Sequence, residues 1–166
     1  MTIEQFWQTI DKARTGSNPM SPSASPEKLA EVLKPLPADD VKSFLFHFYS
    51  RLIELNRWNI WGAGYVIAGG MGDDSFHYFR SWIIGKGKAA FDQALSDPDS
   101  LGSWIDDEDV DNELLEYVAL DILEANGIED DPRDDIEESA DDEPKGDPFD
   151  EDEVERSYPK LAAVFG

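Results

Sequence analysis

The stretch that decides the fold reads GGMGDDSFHYFRSWIIGKGKAAFDQALS over residues 69–96. Its opening glycines end one helix, and Asp73 or Asp74 stands where a side chain would cap the next. Apolar side chains then recur at the spacing of a helix with one buried face, at Phe76, Phe79, Trp82 and Ile83. Glycines at 85 and 87 interrupt this helix, and another short helix follows. The stretch therefore predicts two consecutive helices.

Helix signals also recur along the rest of the chain. Thr2 and Gln5 have the spacing of a capping box, and Ser25 precedes Pro26 at the start of another helix. No segment alternates between apolar and polar residues in the way a half-buried strand does. We therefore predict an all-α, single compact domain of about six or seven helices, with the Trp and Phe residues of 6–82 forming most of its core.

Two glycines lie inside a predicted helix that runs from Trp58 to Ala68. Gly62 and Gly64 should each cost that helix about 1 kcal/mol relative to alanine. Glycine is usually tolerated in a helix where a neighbouring helix packs closely against it. We therefore expect a close contact at both positions.

Charge divides the chain into two parts. The formal net charge is −23, yet residues 1–88 hold nine acids and ten bases, whereas residues 89–132 hold fifteen acids and no Lys or Arg. Such a balance argues against direct binding to nucleic-acid phosphates and against anionic membrane surfaces. It permits a basic protein as the partner, and it sets no oligomeric state.

The C-terminal part has a different composition from the rest. Residues 129–150, the acidic segment, consist mostly of Asp, Glu, Pro, Gly and Ser, which is typical of disorder. Beyond them, a small apolar face is offered by Tyr158, Leu161, Val164 and Phe165. We predict a helical core at 1–128, a mobile acidic linker at 129–150 and a C-terminal helix at 151–166 that docks on the core.

Several classes of protein are excluded or disfavoured by composition. The chain has no Cys, which excludes disulfides, thiolate zinc sites and a cysteine nucleophile. Its opening residues lack the apolar run of a signal peptide, and its longest weakly polar stretch, 58–72, is too short and too rich in glycine to span a membrane. Cytoplasm is therefore the expected compartment.

The chain resembles a bacterial family known as domain of unknown function 4240 (DUF4240). The resemblance is carried by residues 69–101, with their Gly-x-x-Asp-Asp-x-Phe-x-x-Phe-Arg-x-Trp pattern. The opening FWQTIDKAR (6–14) and the closing RSYPKLAAVFG (156–166) are also similar to the ends of that family. The resemblance implies a helical domain whose closing segment belongs to the fold, and it implies no activity.

The densest group of reactive side chains is Asp73, Asp74, His77, Arg80 and Trp82. Helical spacing places residues 73, 77 and 80 on one face, where two carboxylates and a histidine could hold a divalent metal or work as acid and base. Arg80 could then orient an anionic substrate. A simpler interpretation is that an aspartate caps the helix and that Arg80 pairs with one of the aspartates.

Two other features allow more than one interpretation. The acidic run 106–113 lacks the glycine and glutamate of an EF-hand, which leaves only weak binding of a hydrated cation open. The aromatic residues between 58 and 82 are numerous for a small core. Core packing is their expected use, and an exposed aromatic binding patch is the alternative.

Two functions of different classes follow from the sequence. The first is a protein-interaction module, such as an inhibitor, an immunity-type protein or an adaptor, that binds a basic partner. The second is an enzyme or a small-ligand or metal-binding protein centred on Asp73, Asp74, His77 and Arg80. The sequence favours the first function because its charge is polarised and it carries no catalytic motif. We expect no catalytic residue and no cofactor.

Overall fold

The computed structural model describes residues 1–107 and 109–166. Helices make up its regular structure, and no strand occurs among the described residues. Within these residues the α-helices are α1 (Ile3–Lys12), α2 (Pro26–Leu33), α3 (Ala38–Glu54), α4 (Trp58–Ala68), α5 (Asp73–Lys86), α6 (Lys88–Ser96), α7 (Tyr117–Ala125), α8 (Val154–Ser157) and α9 (Pro159–Phe165). Three short 3₁₀ helices join them, at Pro98–Trp104, Glu113–Glu116 and Pro132–Asp135.

The all-α prediction is confirmed, but the prediction of six or seven helices is too low for the part of the chain that is described. Some of the difference arises at the C-terminus, where one predicted helix is two. Pro159 disfavours helical backbone at the residue before it, and Tyr158 adopts φ −130° and ψ 64°. The apolar residues of 112–126 predict one helix with Leu114 on its buried side, but this segment begins as a 3₁₀ turn at Glu113–Glu116.

The predicted helix starts at the N-terminal end of the chain are confirmed. The Thr2 hydroxyl accepts from the Gln5 backbone N–H, and the Thr2 N–H donates to the Gln5 side chain. Ser25 caps α2, with Pro26 at its first position. These caps fix where α1 and α2 begin because they satisfy backbone N–H groups that the helix itself leaves unpaired.

One hydrophobic core lies between the helices. Helix α3 packs against α7 and α5, and α5 also contacts α1 and α6. Aromatic side chains supply much of this core, and those that are buried are Phe6, Trp7, Phe44, Phe48, Phe76, Phe79, Trp82, Phe91 and Tyr158. Trp61 packs at the edge of the core and is only partly buried. Trp58 stacks on Trp61 and is also partly buried.

Both glycines of α4 lie against large side chains, as expected. A Cβ atom on Gly62 would lie 2.6 Å from Oη of Tyr158, and one on Gly64 would lie 2.7 Å from Cδ2 of Phe79 in α5. The contact at Gly62 brings in a side chain from the C-terminal end of the chain. The two glycines therefore let α4 approach two different parts of the fold.

Specific contacts join the acidic segment, whose composition predicts mobility, to the rest of the fold. The mobility of the segment remains a prediction. Asp141 contacts Arg80 at 2.9 Å, and the backbone of Lys145 bonds to Asn56 and Trp58. Phe149 then packs against the aromatic rings of α4. These anchors are single residues separated by acidic stretches, so the average composition of the segment does not reveal them.

The C-terminal helices lie against α4 and the 3₁₀ helix Pro98–Trp104. Tyr158 and Leu161 are buried, whereas Val164 is exposed. The carboxylate of Asp99 accepts from the backbone N–H groups at 160 and 161, which satisfies the start of α9. The division of the chain into core, linker and docking helix remains a prediction. Within the described residues, no helix combines the length and the apolar character needed to cross a membrane.

Candidate functional site

Asp73 and Asp74 form the exposed first turn of α5. The N-cap is Gly72, and no side chain provides a capping hydrogen bond. The prediction that one of the two aspartates caps this helix is therefore wrong. Because glycine occupies the cap, their interaction with the helix is that of two negative charges near the positive end of its dipole.

His77 and Arg80 are brought together, one turn apart on α5. Nη2 of Arg80 lies 3.2 Å from Nδ1 of His77, and Nε2 of His77 lies 2.6 Å from a carboxylate oxygen of Glu116. A guanidinium only donates hydrogen bonds, so Nδ1 must accept. The proton of the neutral imidazole is then on Nε2, from which it is donated to Glu116.

Arg80 is buried, and its partner is not one of the aspartates at the start of its own helix. Its Nη1 donates to the carboxylate of Asp141 and to the backbone oxygen of Leu52, each at 2.9 Å. Its guanidinium also lies 4.9 Å from the centre of the Phe76 ring. The predicted pairing of Arg80 with Asp73 or Asp74 is therefore replaced by an ion pair with the acidic segment.

Trp82 lies apart from this polar group. Its ring is buried and stacks on Phe79 with the ring centres 6.0 Å apart. The Lys86 ammonium lies 5.1 Å from the same indole. Of the residues named from the sequence, the structure thus joins His77 to Arg80, adds Glu116 and Asp141, and places Trp82 in the core.

A second buried polar group holds the loop between α1 and α2. Nζ of Lys86 donates to the backbone oxygens of Pro19 and Ser21 and to the carboxylate of Asp106. Burial lowers the pKa of Lys86, and the carboxylate of Asp106 opposes that shift. Arg14 donates to further backbone oxygens of the same loop. Lys86 and Arg14 therefore fix the shape of the loop between α1 and α2 by donating to its backbone oxygens.

Aromatic rings form a column that ends at Arg80. The rings of Trp58 and Trp61 are parallel and 5.0 Å apart, and Trp61 stacks on Phe76 at 4.8 Å. The ring of Phe149, in the acidic segment, lies at a steep angle to both indoles, with its centre 6.1 and 6.3 Å from theirs. The column thus runs from the buried Phe76 to the partly exposed Trp61 and Trp58.

A patch of apolar and acidic residues lies where the 3₁₀ helix Glu113–Glu116 meets α5. Leu114 is 61% exposed and Tyr117 is 38% exposed. Burial raises the pKa of Tyr78, and the carboxylates of Glu113 and Asp74 raise it further. Asp74, Tyr78, Glu113, Leu114 and Tyr117 are called the Leu114 face below. Sequence reasoning placed Leu114 on the buried side of a helix and so missed this face.

This 3₁₀ helix is fixed to α5 by hydrogen bonds at Asn112. The Ser81 hydroxyl donates to the backbone oxygen of Asn112 at 2.8 Å. The side-chain amide of Asn112 donates to the hydroxyl of Ser23 and to the backbone oxygen of Ala24. Residues three apart in a 3₁₀ helix lie on the same side, so Leu114 and Tyr117 are neighbours at the surface. The Leu114 face is therefore built on anchored backbone.

Residues that could hold a metal ion do not converge in the described part of the chain. No three His, Asp or Glu side chains there lie close enough for a site. The acidic run 106–113 includes Glu108, which lies outside the described residues. Of the two carboxylates that touch His77 and Arg80, that of Asp141 forms an ion pair with Arg80 and that of Glu116 accepts a hydrogen bond from His77.

A family model described as a protein of unknown function (DUF4240) matches residues 1–125 of this chain. The chain belongs to this family. The DUF4240 match confirms the resemblance seen in the sequence and covers the whole Leu114 face, His77 and Arg80. It ends before the acidic segment and the C-terminal helices, so the similarity at 156–166 lies outside it.

No curated protein and no solved structure matches the chain. The DUF4240 description names no activity, substrate or partner. Any function must therefore be argued from the geometry and charge of the chain itself.

Proposed function

We propose that this protein is an interaction module that binds a basic protein partner through the Leu114 face. The observation that carries the proposal is Leu114, a large apolar side chain that is 61% exposed. It follows Glu113 in the sequence, and the carboxylates of Glu113 and Asp74 act on both Tyr78 and Tyr117. A module of this kind serves as an inhibitor, an immunity-type protein or an adaptor.

The composition of the Leu114 face suits protein recognition. Tyrosine provides contact area at low conformational cost and is enriched where interfaces are strongest. Leu114 and Tyr117 lie one 3₁₀ turn apart and offer an apolar centre. Because the backbone beneath them is held by Asn112, the face needs little rearrangement on binding.

Charge determines the kind of partner. Asp74 and Glu113 flank the apolar centre, and residues 89–132 contain no Lys or Arg. Opposite charge on a partner would speed association and disfavour acidic competitors. A surface with apolar residues surrounded by Lys or Arg is therefore the complement of this face.

The alternative function, an enzyme or ligand site at Asp73, Asp74, His77 and Arg80, has less support. Arg80 is buried and is engaged by Asp141 and a backbone oxygen, while the two aspartates are exposed and extend from the first turn of α5. Such an arrangement gives an anionic substrate no direct access to the guanidinium.

The test uses a synthetic amphipathic helical peptide with Leu on one face and Lys and Arg on the other. Fluorescence anisotropy measures its binding to the full chain and to Leu114→Ser. We expect the wild type to bind, the affinity to fall as salt rises, and Leu114→Ser to bind about tenfold more weakly because it removes an apolar contact.

Val164→Ser is the matched control, since Val164 is also an exposed apolar residue but lies in α9. It should bind the peptide as the wild type does. A peptide of the same pattern with Glu in place of Lys and Arg should not bind. Equal affinity of Leu114→Ser and wild type would overturn the proposal, because the binding would then come from charge alone.

A further inference from the structure

A groove of about 380 Å³ lies where the acidic segment and the C-terminal helices meet the start of α4. It is called the Trp58 groove, and its lining includes Trp58, Asp97, Asp99, Asp147, Phe149 and Tyr158. None of the six belongs to the Leu114 face, and the last three lie beyond the DUF4240 match. The groove is therefore a feature to which this chain's own C-terminal part contributes.

Aromatic rings form part of the groove wall. Trp58 is held from behind by its parallel stack on Trp61, and Phe149 meets it edge-on at 6.1 Å. Tyr158 is fixed by a hydrogen bond from its hydroxyl to the backbone oxygen of Asn59. The face of an indole ring attracts cations more strongly than other aromatic faces do.

Carboxylates line the groove beside these rings. Asp99 is held by two backbone N–H groups of α9, and Asp147 is exposed on the acidic segment. The Ser100 hydroxyl, followed by Lys160, lowers the pKa of Asp97. Burial raises the pKa of Tyr158 to about 12, so this phenol is neutral near pH 7.

One cation of the chain already approaches the groove. Nζ of Lys160 lies 3.5 Å from a carboxylate oxygen of Asp97 and 3.0 Å from Oγ of Ser100. Among the described residues, three carboxylates line the groove and one ammonium approaches it, which leaves an excess of negative charge. A cation with an apolar or planar body would satisfy both the rings and the remaining charge.

We propose that the Trp58 groove binds the side chain of an arginine from a basic protein partner. A guanidinium is planar, so it can stack on Trp58 or Phe149 while its N–H groups pair with Asp147. Lysine offers a compact point charge that is more strongly hydrated and stacks less well. This inference shares with the proposed function only the basic partner, because the residues of the Trp58 groove are not those of the Leu114 face.

The experiment titrates the full chain with N-acetyl-arginine amide and follows the Trp58 indole N–H by NMR. The neutral isostere N-acetyl-citrulline amide is the control ligand. We expect the arginine amide to bind with millimolar affinity and to shift the Trp58 signal, and the citrulline amide to cause no shift. Tetramethylammonium tests a compact cation, and equal binding of it would overturn the assignment to arginine.

Three variants sharpen the result. Asp147→Asn should weaken binding about fivefold by removing one charge-assisted contact, whereas Asp142→Asn, also in the acidic segment but outside the groove lining, should not change it. Lys160→Met removes the competing ammonium and should tighten binding. Both aspartates are exposed, so these variants should fold. Equal effects of Asp147→Asn and Asp142→Asn would overturn the proposal.

The two proposals fail separately. Leu114→Ser should bind the arginine amide as the wild type does. If the arginine amide binds but the amphipathic peptide does not depend on Leu114, the groove stands and the proposed function fails. If citrulline amide binds as well as arginine amide, the groove proposal fails and the Leu114 result is untouched.

Discussion

Asp73 and Asp74 give a prediction that separates capping from dipole effects. Because Gly72 is the N-cap, replacing either aspartate with Asn or with Ala should cost the same, about 0.3–1 kcal/mol of unfolding free energy. Thermal or urea unfolding measures the cost.

Thr2 provides the control for that prediction, since its side chain does cap α1. Thr2→Ala should cost about 0.5–2 kcal/mol, while Thr2→Asn should cost much less. A clear advantage of Asn over Ala at position 73 or 74 would contradict the dipole explanation. An Asn variant that kept its stability but lost a partner or a metal would make Asp73, Asp74, His77 and Arg80 a site.

The polar group around His77 and Arg80 could be identified from the sequence only in part. Helical spacing places these two residues within reach of each other, and the structure joins them at 3.2 Å. Their other partners, Glu116 and Asp141, are distant in sequence and lie among many similar acids. Nothing local distinguishes one carboxylate of an acidic run from the next, so long-range polar contacts cannot be predicted from the sequence.

At the scale of elements, the helices with local signals were predictable and the irregular connections were not. The capping box and the Ser-Pro start are written in adjacent residues, and both occur as predicted. The break before Pro159 divides a helix that its apolar residues alone would have joined. The acidic segment is attached at three separate residues, Asp141, Lys145 and Phe149. The average composition of the segment does not reveal them.

The contact between α4 and Tyr158 predicts the sign of one substitution. Gly62→Ala would normally stabilise a helix by about 1 kcal/mol, but here its Cβ would lie 2.6 Å from Oη and 2.9 Å from Cε2 of a buried ring. We expect Gly62→Ala to destabilise the protein and to speed proteolysis near α8 and α9.

The double variant Gly62→Ala with Tyr158→Ala separates the higher helix propensity of alanine from the clash of its Cβ with Tyr158. With Tyr158→Ala the obstructing ring is gone, so adding Gly62→Ala should then raise stability by about 1 kcal/mol. If Gly62→Ala stabilises the wild type as well, the ring of Tyr158 is not held where the structure places it.

Alkaline pH should weaken the contact between Tyr158 and α4. Tyrosine ordinarily ionises near pH 10, and burial followed by the charge of Asp99 raises the pKa of Tyr158 to about 12. The folded state thus holds this proton more tightly than the unfolded state does. The contribution of the Tyr158 hydroxyl to stability is therefore complete below pH 10 and is lost as the pH rises through 12.

Tyr158→Phe cannot ionise and is the control for the alkaline loss. Thermal unfolding of wild type and variant between pH 8 and about 11.5 measures the difference. The stability of the wild type should fall more steeply than that of Tyr158→Phe, because the other tyrosines titrate in both proteins. Parallel curves would show that Tyr158 ionises without consequence for folding.

At the scale of the whole molecule, charge is the dominant long-range force. The chain carries 37 acids against 14 Lys and Arg, and repulsion among surface charges opposes a compact state. The ion pairs of the buried cations Arg80 and Lys86, with Asp141 and Asp106, work in the opposite direction but are few beside the excess of acids. Screening should therefore benefit the folded state overall.

We expect the melting temperature to rise when sodium chloride is increased from low to physiological concentration, where the screening length is about 8 Å. A variant with Gln or Asn in place of exposed acids at 137, 138, 142 and 143 should gain less from the added salt. A melting temperature that fell with salt would mean that ion pairs outweigh the repulsion.

Phe149 and the indoles of Trp58 and Trp61 give the molecule an intrinsic optical reporter. The ring of Phe149 lies against both indoles where the acidic segment crosses α4. Release of that segment would expose them to water and move their emission to longer wavelength. The attachment of the C-terminal part can therefore be followed by tryptophan fluorescence without a label, with Phe149→Ala as the spectrum of the unshielded state.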